Sequence, residues 1–315
     1  GGRVGPITHA STNSGQAHNR LLIGVKETAA IAAAHSRRLA LGIPSYAVTI
    51  AVTPSADFRT TLSDSAHVVI GGYEIGSPAG TCTLGFNTYS GGQSGTPAFI
   101  TASHCTSQTF GFDGDTFLQP SSGYPIGTEA ADPTLWTGYW SFNGRSGACN
   151  NCRFSDAALA TYASGVIRQP GALAKTTGWG YGGRGQNVVV GPWEIFNKLT
   201  PPFLTVGRWL NKVGRTSGWT RGQVTRTCFD YAGSGYTLLC QWESNIWSEG
   251  GDSGAPIFLD ADQHPPVDIT YIHLAGLLWG GPPGVWSTTW FSSLAGIDRD
   301  FGRTFSVCSP GLASC

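Results

Sequence analysis

Residues 251–256 read Gly-Asp-Ser-Gly-Ala-Pro, the most informative hexapeptide in the chain. A serine hydroxyl is a weak nucleophile near neutral pH and needs a neighbouring base. Glycine on both sides of Asp252 and Ser253 permits a tight turn that residues with a Cβ atom avoid. Such a turn can direct the N–H groups of Gly251 and Ser253 toward one oxyanion. The stretch therefore predicts a nucleophilic serine, with an ordinary turn as the alternative.

A candidate base lies in residues 101–105, which read Thr-Ala-Ser-His-Cys and follow the strand-like run 98–100. A lone histidine is more often structural than catalytic. His104, however, stands at a strand end beside Cys105, with Cys82 upstream. A bridge between these two cysteines would fix the backbone at the histidine and add about 3–4 kcal/mol of stability.

The third group needed is a carboxylate that orients the imidazole and stabilises its charged form. Asp156 is the best candidate, because small apolar residues follow it at 157–160 and a buried carboxylate must be hydrogen-bonded. A carboxylate that only starts a strand or caps a turn is the alternative. Asp113 and Asp115 flank Gly114, and Asp132 precedes a proline, so all three are predicted to lie in exposed loops.

Composition restricts the fold and the partners. Of the 315 residues, 45 are glycine, only 12% are charged, and the formal net charge is zero. A neutral chain has no strong attraction to nucleic acid or to an anionic membrane. No apolar run approaches the roughly 20 residues of a membrane span. Glycine costs about 1 kcal/mol per helical position, so the chain is predicted to form short strands joined by turns.

The cysteines indicate the compartment. They fall into sequential neighbour pairs, which we interpret as disulfides of an oxidising, extracytoplasmic environment, although spacing alone proves no pairing. Zinc binding by the Cys-x-x-Cys segment is the alternative, but no second ligand pair follows at a suitable distance. The cysteines are Cys82, Cys105, Cys149, Cys152, Cys228, Cys240, Cys308 and Cys315.

The first 70 residues differ in character from the rest. Residues 1–19 are polar and are expected to form a loose arm. A strand is predicted at 20–25, a helix at 26–41 and a second strand at 46–52, which together indicate a βαβ-like unit. Residues 54–65 are expected to be a linker.

From residue 68 onward, short apolar runs alternate with Gly, Ser and Asn, as is typical of antiparallel barrels or sandwiches. Residues 165–205 lack clean periodicity and are expected to contain a domain boundary. A closing helix is predicted at 292–302. The clearest strand-like runs are 68–70, 97–101, 157–160, 256–259 and 274–279.

The order His104, Asp156, Ser253, together with the two motifs, resembles the chymotrypsin-like serine proteases, and within them the bacterial streptogrisin and α-lytic protease branch. The resemblance covers about residues 70–305. Further matching segments are the first disulfide strand pair at 82–87 and 102–105, the Gly/Thr-rich hairpin at 213–224, and the pocket and closing segments at 248–254, 275–281 and 288–291.

The resemblance implies an all-β fold of two antiparallel β-barrels with the active site between them. The expected domains are residues 1–70 as a pro-region or accessory segment, 71–190 as the first barrel and 191–315 as the second. His104 would act as general base and then general acid, Asp156 would hold its tautomer, and Ser253 would form the acyl-enzyme. The N–H groups of Gly251 and Ser253 would form the oxyanion hole.

The substrate pocket is expected to be apolar. No aspartate stands where trypsin-type enzymes recognise Lys or Arg, although Glu249 could favour a cationic side chain. Trp247 replaces a cysteine that is usual in the bacterial branch, and Ala255 replaces a commoner glycine. The resemblance assigns to the pocket Trp247, Ser248, Glu249, Gly250, Leu278, Trp279, Gly280 and Gly281.

Residues 69–72, Val-Ile-Gly-Gly, resemble the mature start of these enzymes. In the animal branch, cleavage there creates an ammonium group that pairs with the aspartate before the nucleophile, here Asp252. Residues 1–70 are therefore a candidate pro-segment. No Lys or Arg stands directly before Val69, so a trypsin-like activator has no obvious target there.

The function predicted from these observations is a secreted bacterial serine endopeptidase that needs neither cofactor nor metal. Its expected partners are polypeptide substrates and protein inhibitors, not nucleic acid or membranes, and it is expected to be monomeric. One alternative is a catalytically silent binding protein on the same fold. Another is a serine esterase, which would place its acid and histidine after the serine, whereas His104 precedes Ser253.

Overall fold

The computed structural model describes residues 7–12, 21–25, 28–52, 60–90, 95–260 and 271–308, which divide into one unit up to residue 59 and a second from residue 60. The helices are α1 (Thr28–Ala40) and α2 (Leu294–Asp300). The strands are β1 (Ile7–Thr12), β2 (Leu21–Val25), β3 (Val48–Val52), β4 (Val69–Gly71), β5 (Glu74–Ser77), β6 (Gly80–Thr83), β7 (Phe86–Ser90), β8 (Thr96–Thr101), β9 (Thr116–Gln119), β10 (Tyr124–Ala131), β11 (Trp136–Phe142), β12 (Arg145–Arg153), β13 (Ala158–Tyr162), β14 (Arg168–Thr176), β15 (Trp179–Gly180), β16 (Val189–Lys198), β17 (Trp209–Gly214), β18 (Gly218–Ala232), β19 (Thr237–Ser244), β20 (Pro256–Asp260), β21 (Tyr271–Gly280) and β22 (Thr289–Ser293).

The first unit is a three-stranded sheet with one helix. Strand β2 pairs in parallel with β3, and α1 lies in the connection between them, as the βαβ-like pattern predicts. The helix ends before Gly42, whose φ of +67° suits glycine, and Arg37 and Arg38 lie in its last turn, where cations are favoured. Residues 7–12 form β1, antiparallel to β2, so the expectation of a loose arm is wrong at that point.

The second unit contains two sheets. The smaller has seven strands in the order β6-β5-β9-β10-β13-β8-β7, and all its described pairings are antiparallel. The larger has twelve strands, and its central run is β19-β18-β17-β20-β21-β16. Parallel pairings join β12 to β19, β14 to β4, β15 to β18 and β16 to β21, so the larger sheet is mixed.

Five apolar cores lie in the described part of the second unit, and three of them show how its two sheets pack. One lies within the smaller sheet around Phe99 and Phe117, and another within the larger sheet around Trp242. The third includes Phe86 of the smaller sheet and Phe258 of the larger one. Because this shared core contains side chains from both sheets, it fixes the position of one sheet relative to the other.

The boundaries between the units differ from those expected from the sequence. Leu62 and Ile70 are buried in the core of the second unit, which therefore begins before residue 70. Residues 165–205, which show no clean periodicity, hold β14, β15 and β16 in the larger sheet. The pairing of β14 with β16 crosses the expected barrel division at 190.

The predicted C-terminal helix is confirmed as α2, with the Ser293 side chain as its N-cap.

Disulfide bonds join Cys82 to Cys105, Cys149 to Cys152 and Cys228 to Cys240. The second of these excludes the zinc alternative for the Cys-x-x-Cys segment. Cys315 lies outside the described residues. Among the described helices, none has the length and apolar character needed to cross a membrane.

Candidate active site

The predicted histidine and serine come from different sheets. His104 lies in a short 3₁₀ turn just after β8 of the smaller sheet, and Ser253 lies just before β20 of the larger one. Two adjacent residues of β6 connect them. Cys82 is disulfide-bonded to Cys105 of the histidine turn, and the N–H of Thr83 donates to the carbonyl of Ser253 at 2.8 Å. The contribution of Thr83 was not predicted from the sequence.

His104, Asp156 and Ser253 form one hydrogen-bonded chain. Nδ1 of His104 is 2.8 Å from Oδ2 of Asp156, and Nε2 is 2.7 Å from Oγ of Ser253. The backbone N–H of His104 also donates to Oδ1 of Asp156 at 3.1 Å. With both carboxylate oxygens occupied in this way, the imidazole proton is held on Nδ1, and Nε2 is left to accept from the serine hydroxyl.

The charged forms of His104 and Asp156 stabilise each other. Burial by itself would lower the pKa of His104, but the charge and hydrogen bond of Asp156 raise it above the ordinary value of 6.5. Burial would likewise raise the pKa of Asp156, but His104 and the nearby Arg153 hold it below its usual range. Asp156 therefore stays ionised beside a base whose affinity for a proton it increases.

Two glycines shape the turn around Ser253. Gly251 and Gly254 have φ angles of +93° and +85°, in the left-handed region that favours glycine. A Cβ atom on Gly251 would lie 2.6 Å from Oγ1 of Thr216, so a larger residue would displace the turn. In the part of the chain that the structure describes, the N–H groups of Gly251 and Ser253 have no backbone acceptor. Their assignment to an oxyanion hole stays a prediction.

Comparison with solved structures identifies chains of similar architecture. A glutamic acid-specific serine protease that uses a histidine triad in substrate binding has a TM-score of 0.52 at 20% identity, covering 76% of this chain and 100% of its own. Thermobifida fusca protease A has a TM-score of 0.50 at 20% identity, covering 76% and 99%. An α-lytic protease homologue, N4, has a TM-score of 0.50 at 20% identity, covering 75% and 97%.

The chain has the chymotrypsin-type fold. No family model matches the sequence, and no curated protein matches it either. The likeness therefore lies in the architecture and extends over about three quarters of the chain.

Asp252, which directly precedes Ser253, has an internal partner in this chymotrypsin-type fold. Nζ of Lys212 lies 3.0 Å from Oδ2 of Asp252, and neither side chain is exposed. The same carboxylate accepts from the N–H groups of Thr216 and Ser217 and from the Oγ–H of Ser217. Because Lys212 supplies the cation, a new amino terminus at Val69 is not needed to neutralise Asp252.

Behind Asp156, a buried glutamine connects two neighbours of the site. Oε1 of Gln241 accepts from Nε1 of Trp279 at 2.8 Å and from Oγ of Ser292 at 2.9 Å. Oγ of Ser292 in turn accepts from the backbone N–H of Asp156 at 3.2 Å. Trp279 is thus held beside the triad by its ring nitrogen.

A cavity of about 490 Å³ adjoins His104 and Asp156. Its lining includes three large aromatic residues, and the rings of Phe110 and Tyr236 lie 4.8 Å apart. Among the predicted pocket residues, only Trp279 lines this cavity, so sequence reasoning missed the rest of its wall. The lining residues are His104, Thr109, Phe110, Leu135, Asp156, Ser234, Gly235, Tyr236 and Trp279.

The other predicted pocket residues lie along the segments that flank Ser253. Leu278 is buried and exchanges backbone hydrogen bonds with Gly254 and Ala255. Oγ of Ser248 is buried and accepts a hydrogen bond from Oγ1 of Thr289 at 2.6 Å. Gly250 is exposed, and Gly280 and Gly281 are half-buried.

The carboxylate of Glu249 is already paired. Arg184 binds it through two guanidinium nitrogens, with Nε at 2.6 Å from Oε1, and Trp247 donates to the same oxygen at 2.8 Å. The hydrogen bond from Arg184 is the main reason that the pKa of Glu249 is lowered. Glu249 is therefore neutralised from within the chain and offers no free charge to a cationic side chain.

The prediction that Asp132 lies in an exposed loop is wrong. Asp132 is buried and pairs with Arg153, whose Nη1 is 2.5 Å from its Oδ1. Burial raises the pKa of Asp132 to about 6, against the opposing effect of Arg153. Asp113 is exposed, and Asp115 is half-buried and accepts from Ser107.

Within the described residues, no cluster of three or more acidic, histidine or cysteine side chains could hold a metal ion.

Proposed function

We propose that the protein is a serine endopeptidase that cleaves peptide bonds through an acyl-enzyme. The observation that carries this proposal is the chain from Asp156 through His104 to Ser253, with links of 2.8 and 2.7 Å. A nucleophile, a base and an orienting carboxylate in hydrogen-bond contact are the groups that acyl transfer requires. The chymotrypsin-type fold agrees with this role but does not by itself establish it.

In the proposed first step, Oγ of Ser253 attacks the peptide carbonyl while Nε2 of His104 takes the hydroxyl proton. The resulting oxyanion is held by the N–H groups of Gly251 and Ser253. The imidazolium then gives its proton to the leaving amine, and the C–N bond breaks. Water attacks the acyl-enzyme by the same route, with His104 taking its proton and returning it to Ser253. Asp156 remains ionised throughout and stabilises the imidazolium.

The proposed substrate has uncharged, apolar side chains near the scissile bond. The pairing of Glu249 with Arg184 removes the carboxylate that could select Lys or Arg. The cavity is lined by His104 and Asp156 but not by Ser253. It would therefore take the side chain of a residue next to the one that carries the scissile carbonyl. A cavity of about 490 Å³ can accommodate a large aliphatic or aromatic side chain.

Secretion is also part of the proposal. Three disulfides among the described residues favour an oxidising compartment, and an extracellular bacterial enzyme would meet polypeptide substrates and protein inhibitors there. We retain a monomer without cofactor or metal as the working hypothesis.

The experiment that tests the function is digestion of a mixed peptide library, with Ser253→Ala as the matched control. We expect the wild-type protein to cleave peptides that carry apolar residues near the scissile bond and the variant to lose this activity. A wild-type protein that binds peptides without cleaving them would instead indicate the silent binding protein. Cleavage of ester but not peptide substrates would indicate the esterase.

A further inference from the structure

Behind the triad, Arg153 is enclosed between two carboxylates, which with it form the buried arginine cluster of Asp132, Arg153 and Asp300. Nη1 of Arg153 is 2.5 Å from Asp132, and its Nε is 3.5 Å from Asp300. The three side chains expose at most 1% of their surface. A buried ion pair is weak evidence for stability, because desolvation of the charges offsets much of their attraction. The cluster also holds two segments of the site in place.

On one side, the cluster holds the segment that carries Asp156. Nη2 of Arg153 donates to the carbonyl of Ala157 at 2.8 Å, directly after the carboxylate residue. Oδ2 of Asp300, at the end of α2, accepts from Oγ of Ser155 at 2.6 Å, directly before it. The backbone is thus held on both sides of Asp156.

On the other side, the cluster reaches the histidine turn. Oδ2 of Asp132 accepts from Oγ of Ser103 at 2.6 Å, and Ser103 immediately precedes His104. Oγ of Ser103 also accepts from the backbone N–H of Phe110 at 2.7 Å. Ser103 is completely buried, so no water competes for these bonds. The guanidinium of Arg153 lies over the ring of Phe110, 5.1 Å from its centre.

We propose that the buried arginine cluster positions the His104 imidazole against the Asp156 carboxylate, with Ser103 as the link between them. The inference rests on the proposed function, because the alignment of these groups affects a rate only if the triad reacts. The cluster side chains are buried away from any bound peptide, so they are positioning residues. A displacement of about 1 Å at a reacting centre can cost about 100-fold in rate.

The test uses Ser103→Ala, which removes the link and leaves all three triad side chains present. We expect kcat on a peptide substrate to fall about 10- to 100-fold while KM stays within about twofold, because alignment and not binding is lost. The matched control is Thr88→Val. Thr88 is buried, and its hydroxyl donates to the carbonyl of Ser306 at 2.8 Å without contacting the triad. It should lower the melting temperature as Ser103→Ala does but leave kcat unchanged.

A second variant, Asp132→Asn, keeps an oxygen for Ser103 but removes the charge that faces Arg153. It should also lower kcat with KM preserved. Wild-type kcat in both variants, at whatever melting temperature, would overturn the inference and leave the proposed function intact. Failure of the wild-type protein to hydrolyse peptides in a Ser253-dependent way would overturn the proposed function instead.

Discussion

The substitution Asp156→Asn tests the orienting role of the carboxylate with almost no change of shape. Oδ2 of Asp156 now accepts from Nδ1 of His104 at 2.8 Å, and an amide NH₂ in that place would be a donor facing a donor. The imidazole must then carry its proton on Nε2. That nitrogen, 2.7 Å from Oγ of Ser253, becomes a donor and can no longer take the hydroxyl proton.

The expected loss follows from the loss of this tautomer. In triads of this kind, the same substitution lowers kcat by about 10⁴. That factor corresponds to about 5.4 kcal/mol of transition-state stabilisation. The assay is steady-state peptide hydrolysis by the wild-type protein, by the variant and by the control Asp230→Asn, which alters a surface ion pair with Arg145. A variant within tenfold of the wild type would refute the assignment of Asp156.

The contacts and charges of the site lead to four further predictions. Lys212→Met should lower the free energy of unfolding by about 3–5 kcal/mol, because Asp252 remains buried without its cation. Denaturant unfolding measures this loss. The control Lys198→Met breaks a partly exposed ion pair and should cost about 1 kcal/mol or less. Tyr236→Ala should raise KM up to about 10-fold for peptides with an aromatic residue adjacent to the scissile one, and a uniform effect on all peptides would contradict a role of this cavity in selection. The pH profile of kcat/KM should fall on the acid side with a midpoint above 6.5, because only neutral His104 can accept the proton and Asp156 raises its pKa; a midpoint below 6.5 would contradict this electrostatic account. For the same reason, the protonated pair should add stability below pH 6.5 and lose that contribution as pH rises through the raised pKa.

The candidate triad could be read from the sequence because each member carries a local signal. Ser253 stands between glycines, His104 follows a strand and precedes a cysteine, and Asp156 is followed by small apolar residues. These local patterns sufficed to select three residues that the structure brings within hydrogen-bond distance.

The residues that support the triad could not be read in this way. An aspartate before a proline suggests an exposed loop, but Asp132 is buried in a pair with Arg153, 21 residues further along the chain. The pairing of Lys212 with Asp252 spans 40 residues. Strands β14 and β16 lack an alternating pattern, and they join the larger sheet through the remote strands β4 and β21.

The central claim is that Ser253 is the nucleophile and His104 its base. Mass spectrometry after treatment with a fluorophosphonate tests it most directly. We predict one adduct on the peptide that contains Ser253, none in Ser253→Ala, and strongly slowed labelling in His104→Ala. An adduct on another residue, or peptide hydrolysis that persists in Ser253→Ala, would contradict the claim.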